Sequence, residues 1–138
     1  MITVKYAPYR DVTAIVYDKE LYDRMSDDSC PVREKFVMPK NGYVAIGGYI
    51  DNKIASLFIT HDGKLHFMVL KLYRKYARLL LKASFGLWPH LVYVEIPNCY
   101  MEVINFAKRY GFKEIKIEKK IHKKNGQLFN VHTLEYGA

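Results

Sequence analysis

Apolar and polar residues recur along the chain with spacings that predict a definite order of elements. Alternation predicts strands, and a recurrence every three or four residues predicts helices. Strands are expected in "ITVKYAP", "GYVAIGGYI", "KIASLFIT", "LHFMVL" and "HLVYVEIP". Helices are expected in "RDVTAIVYDKELYDRM", with a break near Asp18, in the segment from Leu70 to Phe85, and in "MEVINFAKRYGF", which Gly111 ends.

Turn signals between these runs predict how the strands connect. "DNK" and "HDGK" predict tight turns, and "KKNGQ" predicts an Asn-Gly hairpin between "KEIKIEKKIH" and "LFNVHTLEY". The resulting order is β-α-(α)-β-β-β-α-β-α-β-β. A meander followed by a βαβ unit predicts an α/β fold of the mixed, α+β kind. In this fold the central sheet contains parallel and antiparallel strands and has helices on both of its faces. We expect one domain over residues 1–138.

Composition and charge narrow the class of protein. Half of the 138 residues are apolar and 14% are aromatic, which excludes intrinsic disorder. No apolar run reaches 18 residues and the start lacks a secretory pattern, so we expect no membrane span and no export. Cys30 and Cys99 lack the spacing of a metal site and favour a reducing cytoplasm. The net charge of +8 permits an anionic partner, which includes nucleic acid, a phosphorylated cofactor or a protein.

Three segments carry a resemblance to a known family. "HFMVLKLYRKYA" resembles the strand and pyrophosphate loop, V-x-P-x-x-R-G-x-G-x-G, of the Gcn5-related N-acetyltransferases (GNATs). "VEIPNCYMEVINFAKRYGFKE" resembles the family's next strand and a helix that ends in Gly-Phe, and "NGQLFNVHTLEY" resembles its closing strand pair. The resemblance covers the whole chain and includes the "YDRMSDDS" turn of short phage-encoded members. It implies a GNAT-like fold.

The resemblance also implies a cofactor, acetyl-CoA, whose pyrophosphate rests on backbone N–H groups at a helix N-terminus. The implied contacts are the backbone of Val69 and Leu70, and the residues Arg74, Lys75, Ala77, Arg78 and Asn98. Lys75, Ala77 and Leu79 stand where the family has Gly, so the loop is degenerate, and nearby cations replace lost backbone contacts. The alternative is a core helix whose solvated face carries Arg74, Arg78 and Lys82 at i, i+4 intervals.

Acetyl transfer needs a base for the amine and an acid for the leaving thiolate. The candidate bases are His66, on the strand before the loop, and Glu95, on the neighbouring strand. Ala107 stands where many family members have the acid Tyr, so Tyr110 is the candidate acid nearby. The alternatives are a hydrogen-bonded sheet histidine for His66 and a solvated strand-end carboxylate for Glu95. No metal site is predicted.

The basic segment "KEIKIEKKIHKK" has two interpretations. One is a salt-sensitive patch for nucleic acid or an acidic protein. The other is an edge strand whose lysines prevent sheet-to-sheet pairing. Glu114 and Glu118 dilute the positive charge and favour the edge strand.

Two functions follow from these patterns. The first is an acetyl-CoA-dependent N-acetyltransferase acting on an amine that the sequence does not specify. The second is a catalytically degenerate GNAT-fold phage protein with a structural, virion-assembly or host-interaction role, whose partner is a phage or host protein. The location is then the host cytoplasm or the virion. A cleft filled by Tyr76 and Tyr100 would favour the second, and the sequence leaves the oligomeric state open.

Overall fold

The protein is built around one mixed sheet. The structure is a computed structural model that describes residues 1–26, 30–88, 91–124 and 127–137. The strands are β1 (Ile2–Tyr6), β2 (Val44–Ile50), β3 (Lys53–His61), β4 (Lys64–Val69), β5 (Val92–Pro97), β6 (Lys113–Lys124) and β7 (Gln127–Tyr136). They lie in the order β1-β2-β3-β4-β5-β7-β6, and β4 and β5 are parallel while the other neighbours are antiparallel.

Helices cover both faces of this sheet, as the element order predicted. They are α1 (Tyr9–Val16), α2 (Lys19–Met25), α3 (Ala77–Ser84) and α4 (Met101–Arg109). On one face, Ile15 of α1 and Leu21 of α2 pack with Met68 of β4. On the other face, Leu81 of α3 and Ile104 of α4 pack in one buried cluster. Each helix therefore buries its apolar stripe against the sheet, which explains the spacing seen in the sequence.

Local turn chemistry accounts for three of the predicted boundaries. Asp51 and Asn52 both have positive φ, at 50° and 67°, and form the two-residue turn between β2 and β3. The Asp18 side chain accepts a hydrogen bond from the Leu21 N–H and begins α2, which explains the break. Gly111, at φ +97°, ends α4. The predicted Asn-Gly turn at 125–126 and part of the "YDRMSDDS" turn, residues 27–29, lie outside the described residues.

The segment after β4 is less regular than a single α-helix. Lys71–Tyr76 forms a 3₁₀ helix, α3 occupies Ala77–Ser84, and Phe85–Leu87 is again 3₁₀. No side chain caps either start, because Leu70 and Tyr76 cannot accept the free backbone N–H groups as Ser or Asp would. The amphipathic pattern nevertheless holds within α3, where Leu80 is buried and Leu79 is exposed.

β6 is an edge strand of the sheet, in agreement with the second interpretation of the basic segment. Lys113, Lys116 and Lys119 are exposed along it. A bulge interrupts its pairing with β7 between Glu114 and Lys116. Among the described residues, no helix is long and apolar enough to cross a membrane.

Candidate functional site between strands β4 and β5

Within their described residues, the parallel strands β4 and β5 are joined near their amino-terminal ends. Lys64 of β4 pairs with Tyr93 of β5, and the Tyr93 N–H donates to the Gly63 carbonyl at 2.8 Å. No further register pair joins the two strands within their described residues, although β5 pairs with β7 from Val92 to Pro97. The ladder between β4 and β5 therefore ends well before their carboxyl ends. Ligands of open α/β sheets bind outside such carboxyl ends.

The backbone of Val69 faces this gap. The Leu70 N–H donates to the Ala55 carbonyl of β3 at 2.9 Å. Because hydrogen bonding alternates along an antiparallel strand, Val69, which lies opposite Ser56, directs its N–H and C=O away from β3 and toward β5. The Leu70 carbonyl accepts a hydrogen bond from the Tyr73 N–H at 2.8 Å. Of the two backbone contacts expected from the sequence, Val69 is thus directed at the gap and Leu70 is already engaged.

Arg74 lies in the 3₁₀ segment that follows β4 and points to α2. Its guanidinium Nη2 donates to the Glu20 carboxylate, and the two side chains form an ion pair. The hydrogen bond from Arg74 is the main reason that the pKa of Glu20 lies below its ordinary value. Both side chains remain partly exposed, so an anion in solution has access to this arginine.

The other residues expected to contact a cofactor lie on either side of the gap. Ala77 begins α3 and packs beside Val69 and Leu80. Lys75 is exposed, with its Nζ 5.2 Å from the centroid of the Tyr76 ring, and Arg78 is exposed in the first turn of α3. Asn98 is exposed directly after β5. The sequence therefore places two solvent-accessible cations, Lys75 and Arg78, next to Arg74.

The two candidate bases occupy the same face of the sheet. The Nζ of Lys64 lies 3.1 Å from Oε1 of Glu95, which is 18% exposed. Burial lowers the pKa of His66 below its ordinary 6.5, the charge of Lys64 lowers it further, and Glu95 opposes both. His66 is therefore neutral at neutral pH, and one of its ring nitrogens carries no proton. The structure brings Lys64, His66 and Glu95 together, on the face that α1 and α2 partly cover.

Tyr110 is separate from this group. Together with Ala107, it packs on the opposite face of the sheet, against the buried cluster formed by α3 and α4. Its ring centroid lies 4.9 Å from that of Phe106. Ala107, at the family position of the acid Tyr, is itself buried. The structure therefore does not bring the candidate acid to the side of the sheet that holds His66 and Glu95.

Helix α2 crosses the carboxyl ends of both strands, which sequence analysis missed. Glu20 reaches Arg74 after β4, and Arg24 reaches Tyr100 after β5. The Tyr100 hydroxyl donates to the Arg24 carbonyl at 3.4 Å, and the Arg24 guanidinium lies 5.5 Å from the centroid of the Tyr100 ring. The sequence contains one indication of this, since Glu20 and Arg24 are spaced i, i+4 and so lie on one face of the helix. Their partners, however, lie far along the chain.

The two tyrosines expected to fill the cleft have different roles. Tyr76 packs on the α3 side of the sheet, against a cluster that includes Val69. Tyr100 packs partly against the main buried cluster and ties α4 to α2. Tyr100 thus borders the gap from the β5 side, and Tyr76 belongs to the packing of α3.

A separate open concavity of about 480 Å³ lies at the end of β1 and the start of β2. Its lining includes three tyrosines, at positions 6, 9 and 43, and Lys40. Strands β2 and β3 lie between β1 and β4 in the sheet, so this concavity is distinct from the gap.

Sequence comparison does not place the chain in a family. No protein-family model matches it, and no curated protein matches its sequence significantly.

Comparison of structures gives matches over almost the whole chain. A ribosomal-protein-alanine N-acetyltransferase from Brucella melitensis is 13% identical, with 99% of each chain covered and a TM-score of 0.67. An acetyltransferase of the GNAT family from Streptococcus pneumoniae is 11% identical, with 99% of each chain covered and a TM-score of 0.69. The protein yncA from Salmonella typhimurium, solved with its cofactor acetyl-CoA, is 13% identical, with 99% and 93% covered and a TM-score of 0.63. The chain therefore has the fold of the GNAT acetyltransferases.

Proposed function

We propose that the protein binds acetyl-CoA in the gap between β4 and β5 and transfers the acetyl group to an amine. The observation that carries this proposal is the early end of the β4–β5 ladder, which leaves the carboxyl end of β4 unpaired with β5 directly before the segment that contains Arg74. A gap between parallel strands, followed by a cationic turn, suits a ligand with an amide-containing chain and phosphates. The shared fold supports the same assignment, because one of the similar structures contains acetyl-CoA.

The residues at the gap fit the chemical groups of this cofactor. The Val69 N–H and C=O face the gap and suit the amides of the pantetheine arm, as a strand edge suits an added strand. Arg74, Lys75 and Arg78 supply charge-assisted hydrogen bonds for phosphates. When bound, acetyl-CoA supplies a thioester carbonyl that an amine nitrogen attacks. Asn98, exposed after β5, is the candidate contact on the opposite side of the gap.

The base in this proposal is His66, assisted by Glu95. An amine is nucleophilic only after it loses a proton, and a neutral imidazole with a lowered pKa accepts a proton near neutral pH. Glu95 stabilises the imidazolium that forms, since its carboxylate raises the pKa of His66. The new C–N bond forms as the C–S bond breaks, and the thiolate takes its proton from water. Solvent has this role because Tyr110 packs on the opposite face of the sheet.

A second function is favoured by specific residues in the same region. Arg74 already pairs with Glu20, Ala107 replaces the family's acid Tyr, and Lys75 and Leu79 replace glycines of the phosphate loop. In this alternative the protein keeps the fold without catalysis, as a phage structural, assembly or host-interaction protein. Fold alone does not decide between these functions.

The deciding experiment is calorimetric titration with acetyl-CoA at low and moderate salt. We expect saturable binding in the micromolar range, weakened about tenfold or more in Arg74→Ala because a charged hydrogen bond to phosphate is lost. The matched control is Lys82→Ala, which removes one exposed cation two turns further along α3 and should bind like the wild type.

Absence of binding at millimolar acetyl-CoA would contradict the proposal and support the scaffold. Where binding is found, release of free CoA thiol in the presence of amines tests transfer. Peptide N-termini, lysine peptides and small polyamines form a suitable panel. His66→Gln should lower kcat and leave acetyl-CoA binding intact, because the imidazole acts on the amine.

A further inference from the structure

The arginine on which the proposed cofactor site depends already forms an ion pair with a carboxylate. Glu20 of α2 forms a hydrogen-bonded ion pair with Arg74, 54 residues further along the chain. We infer that Glu20 lowers the affinity of the site for acetyl-CoA, because a phosphate that binds Arg74 competes with its carboxylate. This inference rests on the proposed function and adds a residue that the sequence pattern did not indicate.

The charges around Glu20 are those of an anion site. Within the described residues, the cations acting on its carboxylate are Arg74, Arg24 and Lys71. Glu20 is therefore ionised at neutral pH. A second carboxylate, Glu102, lies 4.0 Å from Arg24, so Arg74 and Lys71 are the cations that face mainly Glu20. An anion with two or more charges, such as a pyrophosphate, forms stronger charge-assisted hydrogen bonds with these cations than one carboxylate does.

Glu20 is held at this place by the anchoring of its helix. Asp18 caps α2 by accepting the Leu21 N–H at 3.1 Å, and the Leu21 side chain is buried in the core on the α1 side. At the other end of α2, Arg24 contacts Tyr100 through its carbonyl and its guanidinium. The helix therefore lies fixed across the carboxyl ends of β4 and β5, with Glu20 on the side of Arg74.

The partial exposure of the pair determines how strongly Glu20 competes. The side chains of Arg74 and Glu20 are 34% and 40% exposed, so water and salt screen their attraction. Exposed ion pairs contribute little free energy. Their contribution corresponds to a factor of about two to five in an equilibrium constant. Glu20 therefore lowers the affinity for a phosphorylated ligand moderately and does not close the site.

The test is a set of acetyl-CoA dissociation constants at low salt for five proteins. They are the wild type, Glu20→Gln, Arg74→Ala, the double variant, and the control Glu34→Gln. Glu34 pairs with Arg33 in the short helix before Phe36, and its loss changes the net charge equally. We expect Glu20→Gln to bind about two to five times more tightly, Glu34→Gln to match the wild type, and the gain to vanish in the double variant.

A second readout needs no cofactor. Modification of Arg74 by phenylglyoxal, followed by mass spectrometry, should be faster in Glu20→Gln than in the wild type, because the carboxylate no longer covers the guanidinium. An unchanged rate overturns the inference. So does equal or weaker acetyl-CoA binding by Glu20→Gln, and in that case binding by the wild type leaves the proposed function standing. Absence of binding by all five proteins instead overturns the proposed function, and this inference with it.

Discussion

Lys64 of β4 and Glu95 of β5 form an ion pair, 3.1 Å between Nζ and Oε1, and Glu95 lies two residues beyond Tyr93, the partner of Lys64 where the two strands join. The pair links the two strands at the end of their ladder, and both charges act on His66. The two charges act on His66 in opposite directions, since Lys64 lowers its pKa and Glu95 raises it. Burial lowers the pKa of the candidate base most, and this pair of side chains adjusts it further.

Removing either charge should move the pKa of His66 in a defined direction. Lys64→Met removes the cation and leaves Glu95 without this partner, so the pKa should rise. Glu95→Gln removes the anion, so the pKa should fall further below 6.5. NMR titration of the His66 ring measures both shifts, and Lys82→Met, a remote loss of one cation, should leave the midpoint unchanged. A shift in the same direction in both variants would contradict this arrangement.

The lowered pKa of His66 also predicts a loss of stability in acid. The unfolded chain takes up this proton near pH 6.5, and the folded protein does so only at lower pH. Between these values the unfolded state binds more protons, so the free energy of unfolding falls as the pH drops below about 6.5. In denaturant titrations from pH 7.5 to 5, the free energy of unfolding should decline less in His66→Gln than in the wild type. His61→Gln, at an exposed position, is the control and should keep the full decline.

The sequence predicted those features that depend on local chemistry. The turn at Asp51 and Asn52, the break at Asp18 and the stop at Gly111 each follow from a residue type with a known backbone preference. Together with the hydrophobic spacing, they were sufficient for the element order and for a mixed sheet with helices on both faces, and the family resemblance implied the GNAT-like fold. The structure confirms these predictions.

The features that the sequence did not predict depend on distant partners. Nothing near Arg74 indicates that its partner is Glu20, because α2 approaches the site only after the sheet has formed. Ile115 and Ile117 alternate like buried residues, yet both are about half exposed, because β6 lies at the edge of the sheet and a bulge shifts its register. The candidate roles of His66, Glu95 and the phosphate-binding cations stay predictions until binding is measured.

Gly48 is required for the approach of α3 to the sheet. A Cβ at this position would lie 2.2 Å from Oγ of Ser56 and 2.8 Å from Cδ2 of Leu80, and both neighbours are fully buried. Gly48→Ala should therefore lower the free energy of unfolding by about 1–3 kcal/mol, as overpacked cores do. Gly86→Ala is the matched control, since a Cβ there would have no atom from elsewhere in the fold within 4 Å. Equal stabilities of the two variants in denaturant titration would show that this close approach does not exist.

Leu79 and Leu80 are adjacent on α3 and should respond differently to truncation. Leu80 is completely buried against Ala55 and Val69, whereas Leu79 is 57% exposed. Leu80→Ala leaves a cavity beneath α3 and should lower the free energy of unfolding by about 2–5 kcal/mol. Leu79→Ala should change it by no more than about 0.5 kcal/mol. Because α3 begins directly after the segment that carries Arg74, Leu80→Ala should also weaken acetyl-CoA binding, and Leu79→Ala should not. A large loss of stability in Leu79→Ala would instead place that side chain in the core and reverse the orientation of the helix.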